Sequence, residues 1–454
     1  MSEAALWMER ARGLRALQDM LGAEAAIVRA GDAAPGDRLV AFLRAQSAYE
    51  LGRPAAALFA RARGLWPENR DLVRNQALAL ASEGDFAGAE GLLTDRLRGA
   101  PDWLNGQRVL AALRFTHGVA DFDAGYAAAV TAMPGHAGLW LAWFSARAQV
   151  RDWARAGAIL DRAAGALGET RAIAIARAFV ASESGAVDEA RRRLAGLADV
   201  ADDFLAICRI RTALRGRDVG LARDLALPLT TTPMARQVWP YLSTCWRLLG
   251  DARAQWLDGD PALVGAIDVG FSAGELAALA GVLRGLHTAA LPYAEQSVRG
   301  GTQTDRSVLL RHEPVLIDAR QRLMAAVRGF VDGLPAVDPG HPFLGRARGD
   351  LRVAGSWSVR LAGGGFNVAH THPAGWLSSA FYVALPEDAG DAPAGHFHYG
   401  APPAELGLDL APYATMAPRA GMLVLFPSLM WHGTVPFAGG ERLNIAFDVV
   451  PATG

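Results

Sequence analysis

The stretch 365–383, GFNVAHTHPAGWLSSAFYV, sets His370 and His372 one residue apart, after a glycine run and just ahead of an alternating segment. On an extended chain, residues i and i+2 project from the same face, so both imidazoles can turn toward one cavity. Imidazole suits iron, zinc, copper and nickel alike, so the pair by itself names no metal. Two ordinary histidines, solvated or satisfied in a core, are the plain alternative.

The neighbouring sequence bears on that choice. Five of the ten histidines (His370, His372, His396, His398 and His432) fall within 63 residues. His432 ends an apolar run in LFPSLMWHGTVPF, and Arg442 follows ten residues later. The intervening PFAGGE reads as a turn, so the two flanking segments are expected to pair as a hairpin. In the second segment Leu443, Ile445, Phe447 and Val449 face one way, and Arg442, Asn444, Ala446 and Asp448 the other. An arginine on an apolar strand beside Asn444 points to a buried anion site, because guanidinium grips a carboxylate through two parallel hydrogen bonds.

Short alternating runs at 356–362, 376–385, 395–400, 421–427 and 441–450, separated by Gly/Pro turns, predict strands of a sandwich or jelly roll. PVLIDARQRLMAAVRGFVDG (314–333) predicts an amphipathic helix that starts at Pro314 and stops at Gly333. The first half of the chain has a different grammar. Residues 1–262 are rich in Ala, Leu and Arg with helical periodicity, and turn glycines recur at Gly84, Gly118, Gly185, Gly216 and Gly250, with Arg151 where one turn is missing. Pro67, Pro101 and Pro134 end successive units 34 and 33 residues apart. A period near 34 with two helices per unit matches tetratricopeptide repeats, whose helix pairs bury their apolar faces only by stacking.

Bulk properties exclude several classes. The 454 residues carry 45 basic and 46 acidic side chains, which gives no general attraction to nucleic acid or an anionic membrane. Cys208 and Cys245 are too few for a disulfide framework and fit a reducing compartment. The charged N-terminal stretch lacks the pattern of a signal peptide, and no apolar run is long enough to span a membrane. The expectation is a cytoplasmic protein.

An H-x-H pair, a distal histidine and an arginine ten residues beyond it resemble the iron- and 2-oxoglutarate-dependent oxygenases. EQSVRGGTQT (295–304), HPFL (341–344), GSWSVRL (355–361), the opening stretch and LVLFPSLMWHGTVPF (423–437) closely resemble bacterial members that follow tetratricopeptide repeats. The resemblance covers roughly 290–454, and the first half only as repeat architecture. It implies an α+β multidomain chain: an N-terminal α-helical tetratricopeptide-like solenoid followed by a C-terminal double-stranded β-helix, a jelly-roll relative. The expected divisions are a helical cap at 1–36, repeats at 37–262 and the oxygenase domain with flanking helices at 263–454.

Carried over residue by residue, the resemblance makes His370 and His432 ligands of Fe(II). It makes Arg442, helped by Asn444, the grip on the far carboxylate of 2-oxoglutarate. His372 stands where most of the wider superfamily has Asp or Glu; it is either the third ligand or it stands behind the metal, leaving two protein ligands and a water. Ser378 and Tyr382 are expected near the co-substrate, and His398 against co-substrate or substrate unless it and His396 face solvent. Trp376, Trp431 and Phe437 are expected to pack the barrel, or one of them to line the substrate mouth, while Arg299 and Gln303 suggest a loop over the site. The implied activity is hydroxylation of a C–H bond with 2-oxoglutarate and O2, the substrate being a peptide or protein held by the repeats. Neither nucleic acid nor membrane is implied as partner, and the oligomeric state, a dimer included, stays open. The rivals are a cupin-like metalloenzyme that does not use 2-oxoglutarate, a repeat scaffold with an inactive barrel, and a zinc hydrolase.

Overall fold

A computed structural model describes residues 1–452. Fifteen helices occupy the first 248 residues: α1 (Glu3–Ala16), α2 (Met20–Ala33), α3 (Arg38–Glu50), α4 (Ala56–Leu65), α5 (Arg70–Ser82), α6 (Phe86–Arg98), α7 (Leu104–Thr116), α8 (Ala124–Ala132), α9 (Ala137–Gln149), α10 (Trp153–Leu167), α11 (Arg171–Glu183), α12 (Val187–Ala195), α13 (Asp203–Arg215), α14 (Val219–Ala226) and α15 (Ala235–Leu248). From α3 onward every second helix begins 32–34 residues after its counterpart, as the turn spacing predicts. Polar side chains set many of these starts: Asp37, Asn69, Asp85, Asp152, Thr170, Asp202 and Asp218 each accept a backbone N–H of the first turn. Gly84, Gly118 and Gly185 hold positive φ between paired helices and Gly250 just after α15, and Arg151 (φ 61°) takes that conformation in the turn that lacks glycine. In the turn at Gly216 the left-handed residue is Arg217 instead.

The chain divides into two compact units, and the division cuts the repeat array rather than following residue 262. The first contains 1–146, 288–294 and 304–321; the second contains 147–287, 295–303 and 322–454. Within the first, small side chains let α3, α4 and α5 approach around Ala45, Ala55, Phe59 and Leu72. Within the second, α13–α15 build a core from Leu214, Val238, Leu242 and Trp246 that also takes in Leu406 and Trp431. No helix among the described residues is long and apolar enough to cross a membrane.

Two further helices, α16 (Ala273–Leu286) and α17 (Pro314–Asp332), accompany the strands. The strands are β1 (Gly265–Asp268), β2 (Val298–Gln303), β3 (Leu351–Asn367), β4 (Leu377–Ala384), β5 (Phe397–Tyr399), β6 (Ala414–Met416), β7 (Met422–Pro427), β8 (His432–Thr434) and β9 (Arg442–Pro451). They form a six-stranded antiparallel sheet in the order β1-β7-β4-β9-β3-β2 and a three-stranded sheet in the order β6-β5-β8. The five predicted strands and the helix at 314 are all present.

Two expectations are corrected. His432 and Arg442 do not flank a hairpin: β8 pairs with β5 in the small sheet, whereas β9 lies between β3 and β4 in the large one. The PFAGGE segment carries the chain from one sheet to the other. Arg299 and Gln303 belong to no loop; they lie on β2, an edge strand paired with β3. Its glycines misled the reading, yet Gly301 is required there, since a Cβ would come 2.3 Å from the Arg360 carbonyl oxygen.

Candidate metal centre

His370 lies just beyond β3, on a stretch that forms a single antiparallel bridge to His432 at the start of β8. Each backbone N–H of the pair donates to the other's carbonyl, at 3.0 and 3.1 Å. His372 is fixed two residues on by its backbone N–H to the Ser428 carbonyl (2.9 Å). One ring nitrogen from each of the three histidines then lies within 4.8 Å of the others.

The second ring nitrogen of each decides which one is free. His370 Nδ1 is 2.8 Å from the Val368 carbonyl, and His432 Nδ1 is 3.0 Å from the Met430 carbonyl. His372 Nδ1 is 2.6 Å from Asp448 Oδ1 and 3.2 Å from Ser378 Oγ. All three therefore present Nε2 with its lone pair exposed to the common point, the tautomer a metal requires. Burial, reinforced by the neighbouring His372, pushes His370 down to about 3. Burial and both neighbouring imidazoles hold His432 well below its ordinary value. These two stay neutral well into acid, so their ligand form persists below the usual imidazole range.

The same cavity is lined by Arg442, Asn444, Asn367, Trp357, Phe397 and Phe426. Since His432 belongs to the small sheet and Arg442 to the large one, the cavity lies between the sheets. Arg442 is 3 % exposed. It donates to the Gly395 carbonyl (2.8 Å) and the Tyr382 hydroxyl (3.2 Å), and its Nε has no partner among the described residues. Burial lowers its affinity for the proton, with Tyr382 acting the other way. A buried guanidinium matched only by neutral groups, with one donor unused, calls for an anion in the cavity. Three Nε2 atoms and an uncompensated cation across one cavity fit a divalent ion together with an anionic co-ligand.

The remaining expected residues fall into place as follows. Ser378 and Tyr382 share a strand face with Ala380, which lines the cavity, but both stand back from it: Ser378 against Asp448, Tyr382 against Arg442. His398 lies close to Gly433, where a Cβ would come 2.7 Å from its Nε2. His396 and His398 are half-buried, each with an Nδ1 that has no partner among the described residues. Trp376, Trp431 and Phe437 are buried. Trp431 reaches out of the sheets, its indole N–H donating to the Pro240 carbonyl of α15 (3.0 Å). Sequence reasoning assigned nothing to Asn367, which lines the cavity and donates to Ser297 Oγ (3.0 Å). It also gave no role to Asp448, although the alternation along 442–448 puts it on the face of Arg442.

Residues 355–448 match the family model described as "Putative 2OG-Fe(II) oxygenase". The matched segment runs from β3 to β9 and contains all three histidines and Arg442, and the family is the one its motifs resemble. The description names the pair of cofactors those motifs imply. No curated relative matches the chain significantly. Among solved structures, the 2-oxoglutarate complex of a viral collagen prolyl hydroxylase from Paramecium bursaria Chlorella virus-1 is 16 % identical, with 41 % of this chain and 95 % of that one covered at a TM-score of 0.29. A Pseudomonas putida prolyl-4-hydroxylase is 19 % identical, with 44 % and 96 % covered at 0.30. A tetratricopeptide repeat protein from Parabacteroides merdae is 11 % identical, with 54 % and 98 % covered at 0.35. Likenesses of this size bear on neither substrate nor mechanism.

Proposed function

We propose that the chain is an Fe(II)- and 2-oxoglutarate-dependent oxygenase that hydroxylates a C–H bond of a peptide or protein, its two sheets being those of a double-stranded β-helix. The observation that carries this reading is the cavity itself, with three Nε2 atoms at one wall and the unmatched Arg442 guanidinium at another. His370, His372 and His432 would hold the ion, and Arg442 with Asn444 the far carboxylate of 2-oxoglutarate. When bound, iron and co-substrate together supply the oxidising power, 2-oxoglutarate being decarboxylated to succinate as O2 is consumed.

The protein's own residues do the rest. The backbone bridge between His370 and His432 and the Nδ1 acceptors hold the three rings in position before any ion arrives. Trp357, Phe397 and Phe426 wall the cavity with apolar surface and keep water from the donors. Arg442 is kept in place by Gly395 and Tyr382, so it meets a carboxylate without rearrangement.

A second cleft, of about 390 Å³, adjoins His372. It is lined by Arg236 and Trp239 of α15, by His341, Pro342 and Arg346, and by Trp376. Its lining has aromatic rings, prolines and two arginines but no acidic side chain, which suits an extended peptide bearing a carboxylate. A helix in phase with the repeats thus borders the cleft, which favours a peptide over a small metabolite.

The test is anaerobic addition of Fe(II) and then 2-oxoglutarate to metal-free protein. A visible charge-transfer band is expected, absent in His432→Ala and weakened in Arg442→Ala. Iron binding without a band in the wild-type protein would remove 2-oxoglutarate from the reading and leave a cupin-like metalloenzyme.

A further inference from the structure

The H-x-H pair places a neutral histidine where a carboxylate would otherwise bring negative charge to the ion. We propose that Asp448 is the positioning residue that returns this charge at one remove, acting through His372. The proposal rests on the reading of His370, His372 and His432 as ligands.

The three imidazoles are not held alike. His370 and His432 each lean on the carbonyl two residues earlier in their own segment. His372 instead takes a side-chain oxygen from a strand 76 residues away, at 2.6 Å. Neutral carbonyls orient a ring; a carboxylate also draws on its N–H proton and makes the opposite nitrogen a stronger donor. Among the three, His372 alone has that partner.

Asp448 is 7 % exposed, and among the described residues its one ion-pair partner is His372. No Lys or Arg among the described residues offsets it. A buried carboxylate without a cation is costly, so the matching charge must reach it through His372 and whatever that ring holds. The surroundings are shaped around it. Ser378 donates to the oxygen that meets His372 (2.7 Å) and shares a hydrogen bond with Ser428 Oγ (2.8 Å). Gly375 passes so close that a Cβ would come 3.1 Å from Asp448 Cβ and 2.5 Å from Ser428 Oγ. Strand β9 thus carries Arg442 at one end of its cavity face and Asp448, six residues on, at the other. One strand face supplies both the cation for a co-substrate and the anion behind a metal ligand.

The experiment is titration of the metal-free protein with Co(II), followed by its visible absorption, for wild type, Asp448→Asn, His372→Ala and the double variant. Asp448→Asn is expected to weaken Co(II) binding 10- to 100-fold and to alter the spectrum. In the His372→Ala background the same change is expected to have no further effect, within about twofold. Asp448→Asn binding within about twofold of wild type, or its full effect persisting without His372, overturns the proposal alone. A wild-type protein that does not bind Co(II) overturns the ligand reading and the proposal with it. Circular dichroism of the metal-free variants checks folding. Should Asp448→Asn not fold, NMR of the Co(II)-loaded wild type decides: three exchangeable, strongly shifted N–H resonances are expected, one per imidazole bound through Nε2. Two would exclude His372 as a ligand and end the argument.

Discussion

Arg442 is the residue on which charge bookkeeping is tightest. Among the described residues its only hydrogen-bond partners are a carbonyl and a phenol, and its Nε is unused. An uncompensated buried charge costs several kcal/mol, about 3–5 where one partner of a pair is removed. Replacement by glutamine, whose amide can still donate to those neutral groups, should leave the metal-free protein at least as stable as wild type. The same change should abolish stabilisation by 2-oxoglutarate. With Ni(II) present, the co-substrate at 100 times its dissociation constant should stabilise wild type by about 2.7 kcal/mol, and thermal melts would show no such gain in Arg442→Gln. A marked loss of stability in the metal-free variant would mean that the guanidinium is structural. The residues of this cavity were unevenly legible. His370, His372, His432 and Arg442 stand out because polar groups interrupt an apolar alternation. Asn367 and Asp448 did not stand out, since their importance depends on Ser297 and His372, brought near only by folding.

Elements were legible in proportion to their own apolar content. β4, β7 and β9 are buried along nearly their whole length and announce themselves by Val, Leu, Ile and Phe. β1, β2, β6 and β8 run three to six residues, and pairing rather than propensity makes them strands. The missed hairpin has the same origin, because a turn signal does not say which sheet the next strand will join. His287 shows how such weak elements are secured. At the end of α16 its ring meets Thr302 Oγ1 of β2 (2.7 Å) and Ser358 Oγ of β3 (3.0 Å). Burial, with Arg360 adding to it, pushes His287 down to about 4. The unfolded chain, with an ordinary imidazole, therefore takes up a proton first as pH falls. Stability from this group is complete above about pH 6.5 and is lost progressively toward about 4, no more steeply than about 1.4 kcal/mol per pH unit. Denaturant unfolding of wild type and His287→Gln across pH 4–7 should give curves whose difference shrinks on acidification. A constant difference would show that the ring contributes packing only.

At the scale of the whole molecule, the change of grammar near residue 262 marks where helices give way to strands, but not where one core ends. The second compact unit begins at residue 147 and includes α10–α15 as well as both sheets. Its joint is specific. Leu406 and Trp431 complete the core of α13–α15, and Trp431 donates to Pro240 and Thr244. Arg247 of α15 donates to the carbonyls of Gly400 and Ala411, and Arg215 to that of Glu405. Trp256 is held twice across the same junction, its carbonyl by His341 Nε2 (2.9 Å) and its indole N–H by Asp338 (2.8 Å). A fragment of residues 263–454 contains every proposed ligand, yet it would expose Trp431 and Leu406 beside His432. At about 1.5–3 kcal/mol for each large apolar side chain returned to water, the loss is on the order of 5 kcal/mol, comparable with the whole stability of a marginal domain. The fragment should therefore be insoluble or lack a cooperative melt, and should bind Co(II) at least 100-fold more weakly than the full chain. A fragment that melts cooperatively and keeps full affinity would show that the strands hold the histidines unaided, and that α13–α15 merely rest against a finished site.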